Sequence, residues 1–302
     1  MTPTYAPIAL FAFNRPQHLA RTLEALAACP EAPQTSITLY CDGSRRSSDD
    51  AAVAAVRGVA QAATGFASLT VAPSERNLGL ASSIIRGVGA QLPVSDRVIV
   101  VEDDLVVSPH FLRFMNQGLD LYANEPRVAS IHGYTYPTGE VLPETFFQRG
   151  ADCWGWATWA RAWRHFEPDG AQLLARLRQR RLTRQFDLEG SYPFTRMLED
   201  QIAGRNNSWA IRWHAACYLD ELLTLYPGRT LVENIGNDSS GTHCSTTDIY
   251  TGAPSGQAIN LQPMQVAESV AARDAFKRFH RRNHSLRQRV RCTLSGLLTL
   301  GR

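Results

Sequence analysis

Apolar runs and helical repeats alternate through the first hundred residues. "IALFAF" (8–13) is a continuous apolar run that ends at Asn14-Arg15-Pro16, which predicts a buried strand. The following "NRPQHLARTLEALAAC" sets Leu19, Leu23 and Leu26 on one helical face. "ITLYC" (37–41), closed by Asp42-Gly43, predicts a second strand, and an alanine-rich segment carrying Val53, Val56 and Val59 a second helix. "FASLTV" (66–71), "NLGLASSIIRGVGAQL" and "RVIVV" (97–101) continue the series as strand, helix and strand. Short apolar strands that alternate with helices imply crossover connections and a parallel sheet covered on both faces. Such sheets bind ligands beyond the carboxyl ends of their strands. Asn14-Arg15, Asp42 and Glu102-Asp103-Asp104 all fall at such ends.

The pattern changes after about residue 127. "VASIHGYTY" predicts another strand, and all six tryptophans lie between Trp154 and Trp213. Trp156, Trp159 and Trp163 follow helical spacing, which predicts a helix there. Aromatics clustered with glycines and arginines predict a shaped, partly open surface. No internal repeat or linker separates the halves, so one compact body is expected. Within it the reading divides residues 1–125, 126–264 and a basic helical tail, 265–302.

Composition excludes more than it assigns. The net charge of +3 carries no nucleic-acid signature. It is unevenly placed: eight basic and no acidic side chains follow from Lys277 onward, leaving −5 for the rest. Leu286, Val290, Leu294, Leu297 and Leu298 share one face of that tail, so a basic amphipathic helix is expected at a membrane surface. No leader pattern and no apolar run of about 18 residues is present, which points to the cytoplasm, with peripheral contact on the inner face of the membrane. Six scattered cysteines without a CxxC pair read as reduced, buried thiols.

The acidic triplet is the sharpest local feature. Two carboxylates about 5 Å apart repel by roughly 3 kcal/mol at an effective dielectric near 20. If the strand stays extended, Glu102 and Asp104 share one face and Asp103 opposes them. Ser108 then reads as a helix N-cap, with Pro109 at the first helical position. The acids would cap backbone, pair with arginines, or hold a hard cation such as Mn²⁺ or Mg²⁺, which takes one or two carboxylates and completes its shell with water and phosphate oxygens.

"VIVVEDDLVVSPHFLRFM" resembles the metal-binding segment of GT-A fold glycosyltransferases, in the Glu-Asp-Asp form of N-acetylglucosaminyltransferase I and bacterial family 2-like enzymes. The resemblance runs over about residues 8–245. It implies a nucleotide-binding Rossmann-like sheet continuous with a tryptophan-rich acceptor half. It implies Asp104 as the metal contact, with Glu102 and Asp103 on ribose, sugar or metal-bound water. "FAFNRP" and "CDGS" then place Asn14, Arg15 and Asp42 beside the nucleotide, and "ERNLGLASSIIRG" adds Asn77 in a turn before a helix. "GWATW" and "MLEDQIAGRNNSWAIRW" imply acceptor contacts from Trp154, Gly155, Trp209 and Arg212. They also imply a general base at Asp200, with Glu199 second. "VENIGNDSSGTHC" adds His243 on the metal or the diphosphate.

The implied activity is metal-dependent, inverting transfer of a hexosyl or N-acetylhexosaminyl group. The donor is a nucleotide-diphosphate sugar, UDP first, and the acceptor a glycan or lipid-linked glycan hydroxyl in polysaccharide biosynthesis. Two alternatives stand beside it. A sugar nucleotidyltransferase needs a glycine-rich triphosphate loop where this chain has "FNRPQHL". An inactive glycan-binding scaffold needs neither metal nor base.

Overall fold

The computed structural model describes residues 5–236 and 249–283. The chain opens with β1 (Ile8–Ala12), α1 (Pro16–Ala27), β2 (Ser36–Cys41), α2 (Asp50–Ala62), β3 (Ser68–Pro73), α3 (Leu80–Ser95) and β4 (Arg97–Glu102). A short β5 (Leu105–Val107) leads to α4 (Phe111–Leu121), β6 (Val128–His132), β7 (Thr145–Arg149) and β8 (Trp156–Trp159). Five helices follow: α5 (Ala160–Trp163), α6 (Gly170–Gln179), α7 (Thr183–Phe186), α8 (Phe194–Ile202) and α9 (Trp209–Leu219). β9 (Leu223–Pro227), β10 (Val232–Asn234) and α10 (Val270–Asn283) complete the described elements.

The expected α/β class is observed, as one large sheet flanked by helices. The strand order is β3-β2-β1-β4-β8-β6-β9-β7. β3, β2, β1 and β4 run parallel, while β8 is antiparallel to both β4 and β6. β5 and β10 form a separate antiparallel pair. All five residues of β1 and the four inner residues of β4 are buried, because helices cover both faces and leave no side for polar alternation. β3, at the sheet edge, keeps partly exposed positions.

One core crosses both halves. It runs from Ala6 to Ile259 and takes in Trp156, Trp209 and Trp213. A smaller cluster around Leu173, Leu177, Phe186 and Leu198 joins α6 to α9. α10 lays Ala272 and Phe276 against Phe146 and Tyr226. The membrane-surface face expected at Leu286–Leu298 lies outside the described residues. Among the described residues no helix is long and apolar enough to cross a membrane. Cys29, Cys41, Cys153 and Cys217 are free thiols, all buried except the half-buried Cys153.

Two local expectations are corrected. The segment read as a helix from Trp156 is strand β8 through Trp159, and only Ala160–Trp163 is helical. The tryptophan spacing satisfies a strand buried on both faces, so helical periodicity was accidental there. Ser108 is not the N-cap of α4, which begins at Phe111 behind His110. The apolar Leu105–Val107 run pairs with Val232–Asn234 instead and delays the helix. Ser108 accepts from the His110 N–H at 3.2 Å and donates to the Ser255 carbonyl at 2.6 Å.

Helix α3 packs closely on β1 because Gly87 has no side chain. A Cβ there would stand 2.6 Å from two carbons of the Phe11 ring, itself stacked on Tyr40 with centroids 5.1 Å apart. Gly87→Ala should therefore destabilise the fold by about 1–3 kcal/mol, the usual range for overpacking. Gly89→Ala, with nothing within 4 Å of its added Cβ, should be neutral or stabilising by up to about 1 kcal/mol from helix propensity. Urea unfolding of the two variants reads the difference, and equal stabilities would refute the tight α3–β1 contact.

Candidate active site

β1 and β4 pair in parallel with Phe11 opposite Glu102, so both strands end side by side. Phe13 to Arg15 therefore leave β1 next to the acidic triplet. The chain turns at Asp103-Asp104 rather than staying extended, and this changes the expected facing of the acids. Asp103 does not oppose its neighbours; one Arg15 nitrogen, Nη2, reaches Asp103 Oδ1 at 2.5 Å and Asp104 Oδ2 at 2.9 Å. The Phe13 N–H donates to Asp103 Oδ2 at 3.4 Å, and the Thr22 hydroxyl donates to the Asp103 carbonyl at 2.7 Å. Gly236 closes over the cluster: a Cβ there would stand 2.2 Å from Asp104 Oδ2. The neighbouring Ile235 N–H donates to the Asp104 carbonyl at 2.8 Å.

Three acids face one guanidinium. Burial works against the Arg15 charge, but Asp103 and Asp104 outweigh it and hold the guanidinium protonated. Burial pushes the Glu102 carboxyl up to about 8, and the Asp104 and Asp103 charges add to the effect. Burial also pushes Asp103 up to about 6, against the pull of Arg15. Among the described residues no group of three His, Cys, Asp or Glu side chains is arranged to hold a metal ion. A hard cation bound through one or two carboxylates needs no such cage. The surplus of negative charge at the cluster fits a divalent ion on Asp104.

The loops beside the triplet are tied to one another. Asp42 is buried; its Oδ1 accepts from Gly43 and Leu78 N–H at 2.9 and 2.8 Å, and its Oδ2 from Gly79 N–H at 2.9 Å. It fastens the turn that precedes α3. Asn77 donates to the Gly43 carbonyl at 2.8 Å and accepts from Arg45 at 3.3 Å. Only glycine fits at position 43, since a Cβ would meet the Arg76 backbone at 2.5 Å. Asn14 reaches Asp49 at 3.5 Å.

A cavity of about 240 Å³ opens beside the segment that leads into β8, walled by Tyr134, Tyr136, Trp154, Tyr192 and Tyr226, with Asp152 among its lining residues. Trp154 is half-buried, with its ring 4.8 Å from that of Tyr134, edge to face. Its N–H donates to His132 Nε2 at 3.1 Å, which fixes the proton of that imidazole on Nδ1. Gly155, at φ +64°, is wedged between Val232 and Phe111 and shapes the backbone there.

The remaining expected residues lie elsewhere. Trp209 is buried and stacks on Trp156 at 5.3 Å, in a cluster with Trp163 and Trp213. The partly open tryptophan surface is thus mainly packed core, because rings from β8, α5 and α9 fill one another's gaps. Arg212 is buried and donates to the Ser208 and Pro168 carbonyls at 3.2 and 3.1 Å. Asp200 and Glu199 stand on α8 and do not line the cavity. Asp200 pairs with Arg205, donated to by its Nε at 2.7 Å, and Glu199 with Arg178 at 2.8 Å. His243 lies outside the described residues. Asp152, which lines the cavity, was not among the sequence candidates, and its only signal there was a place two residues ahead of Trp154.

Residues 5–136 match the family model described as glycosyltransferase like family 2. That stretch holds the four parallel strands β1 to β4, the acidic triplet and Tyr134–Tyr136, and it is less than half of the chain. No curated protein matches. Among solved structures, the chain is similar to a mannosyltransferase from Pyrobaculum calidifontis in complex with GDP-Man and Mn²⁺. The TM-score is 0.36 and the identity 13%, over 46% of this chain and 38% of that one. It is also similar to glucosyl-3-phosphoglycerate synthase from Mycobacterium tuberculosis in complex with Mn²⁺, UDP and glucosyl-3-phosphoglycerate. There the TM-score is 0.34 and the identity 12%, over 59% of this chain and 67% of that one. The chain thus spans well under half the length of the first.

Glu102 holds its proton more tightly folded than unfolded, so its contribution to stability is lost as pH rises through about 8. Glu102→Gln keeps the shape without the charge. Its melting temperature should match the parent's near pH 5 and exceed it by a few degrees near pH 9. A difference that is the same at both values would show that Glu102 ionises without penalty.

Proposed function

We propose that the protein is a metal-dependent glycosyltransferase that moves a hexosyl or N-acetylhexosaminyl group from a nucleotide-diphosphate sugar, UDP first, to a glycan or lipid-linked glycan hydroxyl, with inversion. The observation that carries this reading is the crowding of Glu102, Asp103 and Asp104 around one guanidinium at the end of β4, inside the stretch that matches the family 2-like model. A divalent ion on Asp104, Mn²⁺ or Mg²⁺, would neutralise charge on the leaving diphosphate.

The chain's own groups do the rest. Arg15 stays on Asp103 and turns its free edge toward a phosphate oxygen, for which its planar fork is suited. Asp103 and Glu102 accept from ribose or sugar hydroxyls or from metal-bound water. Asn14 and Asn77 line the nucleotide side, and Asp42 holds the turn on which Asn77 sits. Trp154 offers an aromatic edge to the acceptor. The sequence motif offers Asp200 as a base, but Arg205 holds its carboxylate. The nucleotidyltransferase reading is disfavoured because the turn after β1 is Phe13-Asn14-Arg15-Pro16, with no glycines to wrap a triphosphate.

Titration calorimetry with UDP tests the proposal. The parent should bind UDP at least tenfold more tightly with Mn²⁺ than without, and Asp104→Ala should abolish that difference. Binding that ignores Mn²⁺, or no binding at all, would leave the glycan-binding scaffold as the better account.

A further inference from the structure

A fourth carboxylate, Asp152, stands ahead of β8 next to Cys153, whose thiol the Glu102 and Asp104 charges also reach. β4 and β8 are antiparallel with Val100 opposite Trp156. Beyond that pair both backbones bend, β4 at Asp103-Asp104 and the lead-in to β8 at Gly155. β6 supplies the other neighbour, with His132 opposite Trp156. Past the end of β6, the Tyr136 hydroxyl donates to Asp152 Oδ2 at 3.0 Å. The Cys153 N–H donates to Oδ1 at 2.9 Å. Each oxygen therefore has one fixed donor and a second lone pair to offer. Among the described residues no arginine or lysine pairs with Asp152, in contrast to Asp200 and Glu199. The Cys153 thiol is pushed well up by burial and then by the Asp152 and Glu102 charges.

Asp152 also lines the aromatic cavity. At about 240 Å³ that space is smaller than the ~300–1,000 Å³ of sites for drug-sized ligands, so it suits one sugar ring and not a length of oligosaccharide. Ring faces and edges from Tyr134, Tyr136, Trp154 and Tyr226 suit the C–H faces of a pyranose. Gln148 and His214 add directional polar groups to the same wall.

We propose that this cavity seats the terminal sugar residue of the acceptor and that Asp152 takes the proton from its attacking hydroxyl. The inference rests on the transferase reading above. In the step, the acceptor O–H bond breaks and the proton passes to a carboxylate oxygen of Asp152. The oxygen's electron pair forms the bond to the anomeric carbon. The bond from that carbon to the diphosphate oxygen breaks, and its pair leaves with the diphosphate. Asp152 then returns the proton to solvent. A carboxylate with hydrogen-bond donors on both oxygens and no arginine or lysine attached is oriented for this work.

The test uses the full chain with Mn²⁺ and UDP-hexoses, following UDP release with p-nitrophenyl pyranosides or water as acceptor. Asp152→Asn should lower turnover about 10²–10⁴-fold, the usual contribution of a general base, while UDP binding with Mn²⁺ stays within threefold of the parent. Tyr136→Phe removes the donor on Oδ2 but keeps the carboxylate, so it should retain turnover within about tenfold. Asp200→Asn should likewise stay within tenfold. Equal losses in Asp152→Asn and Tyr136→Phe would make Asp152 a packing residue and overturn the proposal. A collapse confined to Asp200→Asn would overturn it in favour of that base. Either result with UDP binding intact leaves the transferase reading standing, whereas a parent that ignores UDP and Mn²⁺ removes both.

Discussion

The structure is organised around an electrostatic conflict at one end of the sheet. Three carboxylates meet where β4 turns, and a single arginine from the β1 end answers two of them. Burial makes the conflict sharper, because charges removed from water interact more strongly and are less well solvated. The surrounding chain is built to keep them there. Thr22 from α1 holds the Asp103 carbonyl, Phe13 supplies a backbone donor, and Ile235 and Gly236 close from the other side. A fold that only needed stability would place apolar residues at this position. Retaining acids there fits the metal-dependent reading proposed above.

The second organising feature is the division of aromatic residues by role. Trp156, Trp163, Trp209 and Trp213 stack into the core and join β8, α5 and α9. Tyr134, Tyr136, Tyr192 and Tyr226 face a cavity together with Trp154. Their phenol groups are held protonated, because burial and the nearby Asp152 charge both disfavour phenolates. The same residue types thus give rigidity in one place and a shaped hollow in another. β8 lies between β4 and β6, and the segment leading into it lines the hollow.

Arginine carries nearly all the positive charge of the chain, and its side chains are used mainly as clamps. Arg161 donates to the Ala123, Val128 and Tyr122 carbonyls, Arg212 to two more, and Arg205 and Arg178 hold the acids of α8. This use of planar, multiply donating side chains explains how Asp200 and Glu199, which look exposed and available as letters, come to be engaged.

The sequence by itself determined the alternation of strands and helices, the parallel sheet and the position of the triplet at a strand end. Those features depend on local periodicity: the apolar runs of β1 and β4 and the spacing of Leu19, Leu23 and Leu26 are visible without any long-range contact. The tertiary structure decided which of the candidate side chains meet. Asp42 proved to be a fastener for the Leu78–Gly79 turn, Trp209 a core residue, and Arg15 the partner of both aspartates. Asp152 was inconspicuous in the chain because it stands ahead of β8, whose registers with β4 and β6 join residues 24 to 62 positions apart. Strand registers of that kind follow from the packing of the whole sheet, whose backbone groups look alike at every position. For that reason the letters locate an acidic cluster, and only the folded sheet shows what lies across from it.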